Sequence, residues 1–147
     1  MNSLEELKEN PGYQLWLVTN AWQRSMRKAL QPMGLTHVQF VVLASVARLC
    51  HNELTVTQAD VCRWGQLDAN MASEVVRSLE GRGLLVRLEH PTDRRAHRLE
   101  LTEEGQKLFA EARALVIPAK EAFFKPLPDQ GKALAAILAQ LVQGNES

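Results

Sequence analysis

Mainly α with a small β-hairpin is the fold class this sequence predicts, and three observations predict it. Residues 57–80 hold two capped helical runs separated by a glycine-bearing turn. Residues 84–101 hold two short alternating apolar runs around the polar corner His90-Pro91-Thr92-Asp93-Arg94-Arg95-Ala96, the pattern of a hairpin. Long apolar-rich helical stretches lie before and after them, at about 12–31 and 102–143. Helix, turn, helix and then an arginine-tipped hairpin in immediate succession describe a winged helix-turn-helix lobe, about 36–101. The whole chain, 1–147, is expected to be a single domain. Its N- and C-terminal helices then form a dimerisation region.

Each element has a local reason. Asn10-Pro11-Gly12 introduces the first long helix, residues 13 to about 30. Trp16, Leu17, Val18, Ala21, Trp22 and Met26 are spread broadly round it, as for a helix buried against the core on one side and a partner on the other. Gln31-Pro32-Met33-Gly34 breaks it, and Thr36 with Gln39 forms a capping box for the next helix, which runs to about residue 50. Thr57 caps the first helix of the helix-turn-helix, with Asp60 returning the bond and Ala59, Val61 and Cys62 as its apolar side. Trp64-Gly65 ends it, and Gly65 is expected to take the left-handed conformation of the turn. Asp68 caps the second helix, 69 to about 80, closed by Gly81 and Gly83, with Ala72, Val75, Val76 and Leu79 facing the core.

In the hairpin, alternation places Leu84, Val86 and Leu88 on one face of the first strand and Leu99 and Leu101 on one face of the second. Arg87, Arg98 and Glu100 then face water. Thr102 caps the following helix, where Glu103 and Glu104 suit the positive end of its dipole, and Pro118 predicts a kink or break. Phe123 and Phe124 precede a joint at Pro126-Leu127-Pro128. In the last helix, about 129–142, Leu134, Ile137, Leu138 and Leu141 line up at helical spacing. Such a face needs a cover. A second subunit is the economical one, and packing back on its own domain is the alternative.

Two features point to nucleic acid. The face of the second helix opposite its apolar stripe carries Asn70, Ser73, Glu74 and Arg77, the short or hydrogen-bonding side chains expected of a helix that reads base edges in the major groove. An ordinary amphipathic surface helix shows the same pattern in isolation. The hairpin tip carries adjacent arginines where a plain turn would carry Asn-Gly or Asp-Gly, and guanidinium groups on a projecting ribbon suit a groove. A solvated charged loop is the plainer alternative. Lys and Arg number 17 and Asp and Glu 17, so the chain is no general polyanion binder. Charge is nonetheless uneven: residues 77–98 hold six arginines against Glu80, Glu89 and Asp93, while Glu5, Glu6 and Glu9 make the N-terminus acidic. A local basic edge on a neutral whole suits a specific binder with salt-dependent affinity.

The chain resembles the MarR family of bacterial and archaeal transcriptional regulators. The resemblance rests on Leu35-Thr36-His37-Val38-Gln39-Phe40, on Leu79-Glu80-Gly81-Arg82-Gly83-Leu84 and above all on Asp93-Arg94-Arg95 followed by Leu99-Glu100-Leu101-Thr102-Glu103-Glu104-Gly105. It extends over nearly the whole chain and implies a homodimeric, sequence-specific DNA-binding regulator. Such a regulator would be a repressor of a near-palindromic operator, released by a small aromatic or anionic effector. By the resemblance Asp93 orients the wing and Arg95 reaches the minor groove. The expected DNA-binding set is Asp68, Asn70, Met71, Ser73, Glu74, Arg77, Asp93, Arg94, Arg95 and His97. Effectors of relatives bind between the terminal helices and the DNA-binding lobe, which here marks Trp16, Trp22, His37 and Phe40, with plain packing as the alternative role. Glu74 departs from the family, where many members carry a basic or neutral residue. Its carboxylate must accept from a cytosine amino group or pair with Arg77. It also keeps open a different class, a winged-helix protein-interaction module that does not bind DNA specifically.

Other classes find no support. Gly-x-Ser-x-Gly, His-Glu-x-x-His and Cys-x-x-Cys motifs are lacking, and Gly81-Arg82-Gly83 leaves a helix for a strand, the reverse of a dinucleotide loop, so no enzyme and no cofactor are expected. His90 and His97 flank the hairpin corner without a third ligand, which favours phosphate or solvent contacts over a metal. Cys62 reads as an inert core thiol and Cys50, at a helix end, as an exposed one. Neither lies in the first helix, where the peroxide-sensing branch of the family keeps its reactive thiol. Met1-Asn2-Ser3-Leu4-Glu5-Glu6-Leu7-Lys8 is no apolar export segment and residues 40–47 are too short to cross a bilayer, so a cytoplasmic protein with no membrane partner is expected.

Overall fold

The computed structural model describes residues 3–52 and 55–146. Met1 and Asn2, part of the stretch read for an export segment, lie outside the described residues. The elements in chain order are α1 (Ser3–Lys8), α2 (Pro11–Leu30), a 3-10 turn (Gln31–Met33), α3 (His37–His51), α4 (Gln58–Gly65), α5 (Ala69–Gly81), β1 (Leu85–Glu89), β2 (His97–Leu101), α6 (Glu103–Phe124) and α7 (Gly131–Gly144). The mainly helical class with one antiparallel hairpin is therefore observed. Helix α1 was not foreseen, because six residues carry too little periodicity to be read.

The caps fall where the side chains dictate. Asn10, Thr36, Thr57, Asp68 and Thr102 each accept from a backbone N–H three residues on. Thr36/Gln39 and Thr57/Asp60 form complete capping boxes. One core fills the space between these helices: Met26 and Leu30 of α2, Val42, Leu43, Val46 and Leu49 of α3, Val61 of α4, Val75, Val76 and Leu79 of α5, and Leu85 and Leu99 of the hairpin. Helix α6 lies along α2 and reaches α3, contributing Ala112 and Val116.

Four expectations need correction. The first concerns the hairpin face. Leu85 pairs with Leu101, Arg87 with Leu99 and Glu89 with His97, so Leu85 and not Val86 or Leu88 shares the core face with Leu99. Leu84 is buried but precedes the strand, while Val86 and Leu88 lie beside Glu100 and Arg98, half-buried. Arg87, expected in water, sits on the core face and bonds Glu80 at 2.6 Å. Alternation alone allows two registers that differ by one residue. Tertiary bonds select this one: the N–H of Leu99 donates to Val56 O (2.7 Å) and that of Thr102 to Leu84 O (3.1 Å).

The second concerns the turn. Gly65 ends α4 inside the helix, and the left-handed residue is Gln66 (φ 51°, ψ 45°). At Gly65 a Cβ would lie 3.1 Å from Leu67 Cγ, so a side chain there needs Leu67 to shift by a few tenths of an ångström. Third, Ala59 of the supposed apolar side of α4 is exposed, leaving Val61 buried and Cys62 half-buried. Fourth, α6 is not broken at Pro118 but continues to Phe124.

The Thr-x-x-Gly run has a steric cause. Thr102 Oγ1 donates to Gly83 O (2.6 Å) and accepts from the N–H of Gly105 (3.0 Å). Gly105 is thereby pressed against Leu84, so that a Cβ would overlap Leu84 O and lie 2.9 Å from its carbonyl carbon. Gly105→Ala is expected to lower stability by about 3 kcal/mol, because the obstacle is backbone that cannot move aside. At Gly81 a Cβ meets nothing within 4 Å, and Gly81→Ala should be neutral or stabilising by up to about 1 kcal/mol. Urea unfolding at one fixed protein concentration checks both, and equal effects would remove the steric argument.

Candidate nucleic-acid interface

The interface is built from the helix-turn-helix upward. Val61 anchors α4, the left-handed Gln66 turns the chain, and Asp68 Oδ1 accepts from the N–H of Met71 (2.8 Å) to start α5. The carboxylate of Asp68 therefore serves as a helix cap. Ala72, Val75, Val76 and Leu79 are buried, which turns Asn70, Glu74 and Arg77 outward at one-turn spacing, with Ser73 half-buried beside them. Met71 is exposed at the start of the helix. Glu74 makes no ion pair with Arg77 among the described residues, whose ion pairs are Arg63–Asp60, Arg87–Glu80 and Arg98–Glu100. Of the two roles foreseen for Glu74, pairing with Arg77 is thus not realised in the isolated subunit.

Two side chains hold α5 in place, and sequence reading missed both roles. Gln39 completes the cap of α3 with its Oε1 and donates from Nε2 to Ser78 Oγ (3.2 Å), joining α3 to the outer edge of α5. Arg82 donates to Gly34 O (2.9 Å) and Met33 O (3.5 Å), joining the end of α5 to the loop before α3. A glutamine that caps through Oε1 leaves its NH2 group free to donate, which was the available signal for Gln39. Nothing local marks Arg82.

The six arginines between 77 and 98 divide into two sets. Arg82 is tied to backbone carbonyls, Arg87 to Glu80, and Arg98 to Glu89 O (3.1 Å) and to the Glu100 carboxylate. The guanidinium groups of Arg77, Arg94 and Arg95 bond no described residue, and all three residues are exposed. The basic edge thus contracts to one cation on the outer face of α5 and two at the wing tip. Asp93 Oδ1 accepts from the N–H of Arg95 (2.9 Å), so Asp93 does shape the tip. His97 is exposed at the start of β2. His90 turns Nδ1 to the backbone N–H groups of Thr92 and Asp93. Among the described residues no three His, Cys, Asp or Glu side chains gather as a metal site.

The four aromatic-ligand candidates do not form one cluster in the subunit. Trp22 meets His37 edge-on at 6.4 Å between ring centroids, and meets Phe123 and Phe124 at 5.1 and 5.6 Å. Phe40 stacks on Phe109 at 5.6 Å, and Trp16 is 66% exposed on α2. His37 also borders a groove of about 670 Å³ between α2 and the start of α3, with Gln23, Arg27, Lys28, Leu35 and Thr36. Its Nδ1 lies 2.8 Å from Gln23 Oε1, and burial lowers its pKa from the ordinary 6.5. Cys50 is not the exposed thiol expected. It is half-buried with Sγ 3.8 Å from Leu99 O, and burial, then the nearby Glu100, push its pKa up against a smaller opposing effect of Arg98. No single helix among the described residues is long and apolar enough to cross a membrane.

A family described as winged helix DNA-binding domain matches residues 35–105. Over 115 residues the chain is 42% identical to YdcH of Bacillus subtilis strain 168, an uncharacterized HTH-type transcriptional regulator, covering 78% of each protein. It is similar to a MarR-family transcriptional regulator from Rhodococcus sp. RHA1, with a TM-score of 0.77, 30% identity and 92% and 93% of the two chains covered. CouR from Rhodococcus jostii RHA1 bound to p-coumaroyl-CoA matches with a TM-score of 0.81, 30% identity and 96% of each chain. The repressor CouR on a 23-mer DNA duplex matches with a TM-score of 0.82, 29% identity and 93% and 95% coverage.

The half-buried imidazole of His37 has a measurable consequence. Its pKa is lowered on folding, so the unfolded chain takes up this proton more readily. The stability it contributes is complete above the ordinary value of 6.5 and is lost as pH falls through the folded value. Urea midpoints followed from about pH 8 to about pH 5 should fall more steeply for the wild-type chain than for His37→Gln. Parallel curves would show that another group sets the acid limb.

Proposed function

The chain belongs to the MarR family of winged helix-turn-helix transcriptional regulators, and from that premise we propose that it acts as a homodimeric repressor of a near-palindromic operator. It is a DNA-binding regulator, and its family and fold are those of regulators rather than enzymes. In the proposed complex two copies of α5 enter successive major grooves while the wings reach the flanking minor grooves. Asn70, Ser73, Glu74 and Arg77 read bases or backbone, and Arg94 and Arg95 anchor the wing.

The observation that carries this reading is the division of the arginines. Those inside the lobe are neutralised or tied to carbonyls, and the three left over lie on the two elements that a groove-reading lobe presents. Dimerisation is supported by the apolar surface at the chain's two ends. Helix α7 buries no residue, and Ile137, Leu138, Leu141 and Val142 are exposed on it. Leu15, Trp16, Leu17 and Val18 are likewise exposed on α2. A helix of this length that buries none of its residues is marginal in water, so its stability is expected to come from a second subunit.

The effector we infer is a small aromatic or anionic compound. CouR binds p-coumaroyl-CoA. In this chain the groove beside His37 offers Arg27 and Lys28 to an anionic group. Release requires only that the effector prefer an arrangement of the lobes that cannot span the operator.

Fluorescence anisotropy with DNA from upstream of the gene, against a scrambled duplex of equal length, tests the reading. A preference of roughly a thousandfold for the native sequence is expected. Arg95→Ala should weaken operator binding by about 1–3 kcal/mol and reduce the salt slope by about 1 per wing, with the dimer intact. Unchanged affinity in that variant would remove the wing from the mechanism. In sedimentation equilibrium the wild-type chain should be a dimer, and the double variant Ile137→Glu, Leu141→Glu a monomer. A wild-type monomer would overturn the dimeric reading.

A further inference from the structure

The wing tip is held by a side chain that family resemblance did not mark. His90 is the first residue after β1, and its Nδ1 lies 3.0 Å from the backbone N of Asp93 and 3.2 Å from that of Thr92. Both are N–H donors, so Nδ1 is the unprotonated acceptor and the ring carries its proton on Nε2. This is the bond pattern that an aspartate or asparagine gives when its side-chain oxygen accepts from the backbone two or three residues on. The next step follows directly along the chain. Asp93, oriented by His90, accepts at Oδ1 from the N–H of Arg95, and the N–H of Ala96 closes on Asp93 O (3.3 Å).

Arg94 and Arg95 therefore leave a backbone fixed by two caps in series. Their guanidinium groups bond no described residue, so the backbone alone sets where they begin. We propose that His90 is a positioning residue for DNA binding: its imidazole, accepting at Nδ1, fixes the tip from which Arg94 and Arg95 reach the operator. The proposal rests on the reading that the wing touches DNA.

The test uses the full-length protein and its operator at constant ionic strength near physiological. His90→Ala should bind roughly 10-fold more weakly, with an unchanged melting curve. His90→Asn offers an oxygen to the same two N–H groups, so it should keep wild-type affinity. In free protein, the amide resonances of Thr92 and Asp93 should move in His90→Ala and stay near their wild-type positions in His90→Asn. Wild-type affinity for His90→Ala, or binding by His90→Asn as weak as that of His90→Ala, would each overturn the proposal. Failure of the wing reading is distinguishable: there Arg95→Ala binds normally, whereas here Arg95→Ala is weak and His90→Ala is not.

Discussion

The hydrogen bond from Thr102 N–H to Leu84 O closes the hairpin at its base, and three directions in the molecule depend on it. It sets the exit of the chain from α5, because Leu84 follows the left-handed Gly83 (φ 74°) that turns the helix into the strand. It sets the register of the strands, because Leu85 opposite Leu101 follows from it. It also sets where α6 begins, because the same threonine caps that helix and holds Gly105 against Leu84. Helix α5, the hairpin and helix α6 thus share one short junction, and a displacement there would turn all three together.

Electrostatics in this chain are decided by pairing rather than by number. Equal totals of acidic and basic residues say little about affinity for a polyanion. What matters is which cations remain after folding. Glu80 removes Arg87 from that pool, Glu100 and a carbonyl remove Arg98, and the loop before α3 removes Arg82. The removed arginines still contribute, since each ties an element of the lobe to its neighbour. Glu74 stays exposed and unpaired with Arg77 on the outer face of α5. It is the group that most sharply separates this recognition surface from a general phosphate binder.

The apolar residues divide in a comparable way. Those of α3, the inner side of α5 and the hairpin base are consumed by one core. Those of α7 and the first half of α2 are not. Between the two sets lie Trp22, Phe123 and Phe124, packed ring on ring beside His37. His37 joins this cluster to the groove between α2 and the start of α3.

Much of this was legible in the sequence. Caps were readable because a threonine or aspartate three residues before the N–H that donates to it is a local arrangement, and Thr36, Thr57, Asp68 and Thr102 all cap as their spacing predicts. The core face of α5 was readable because four apolar residues at helical spacing leave one solution. The outer face, Asn70, Glu74 and Arg77, followed as its complement. The hairpin's inward face was not readable, since five-residue strands with leucine on both sides fit two registers, and bonds from Val56 and Leu84 choose between them. Nor did sequence show that Gln66 rather than Gly65 takes the left-handed turn: α4 runs through Gly65, and the N–H groups of Gln66 and Leu67 both donate to Cys62 O. The sequence by itself determined the elements, their caps and the chemistry available at the tip, all of which depend on neighbours within a few residues. Tertiary structure alone decided which arginines stay free and which histidine holds the wing, because those outcomes depend on partners brought close only by folding.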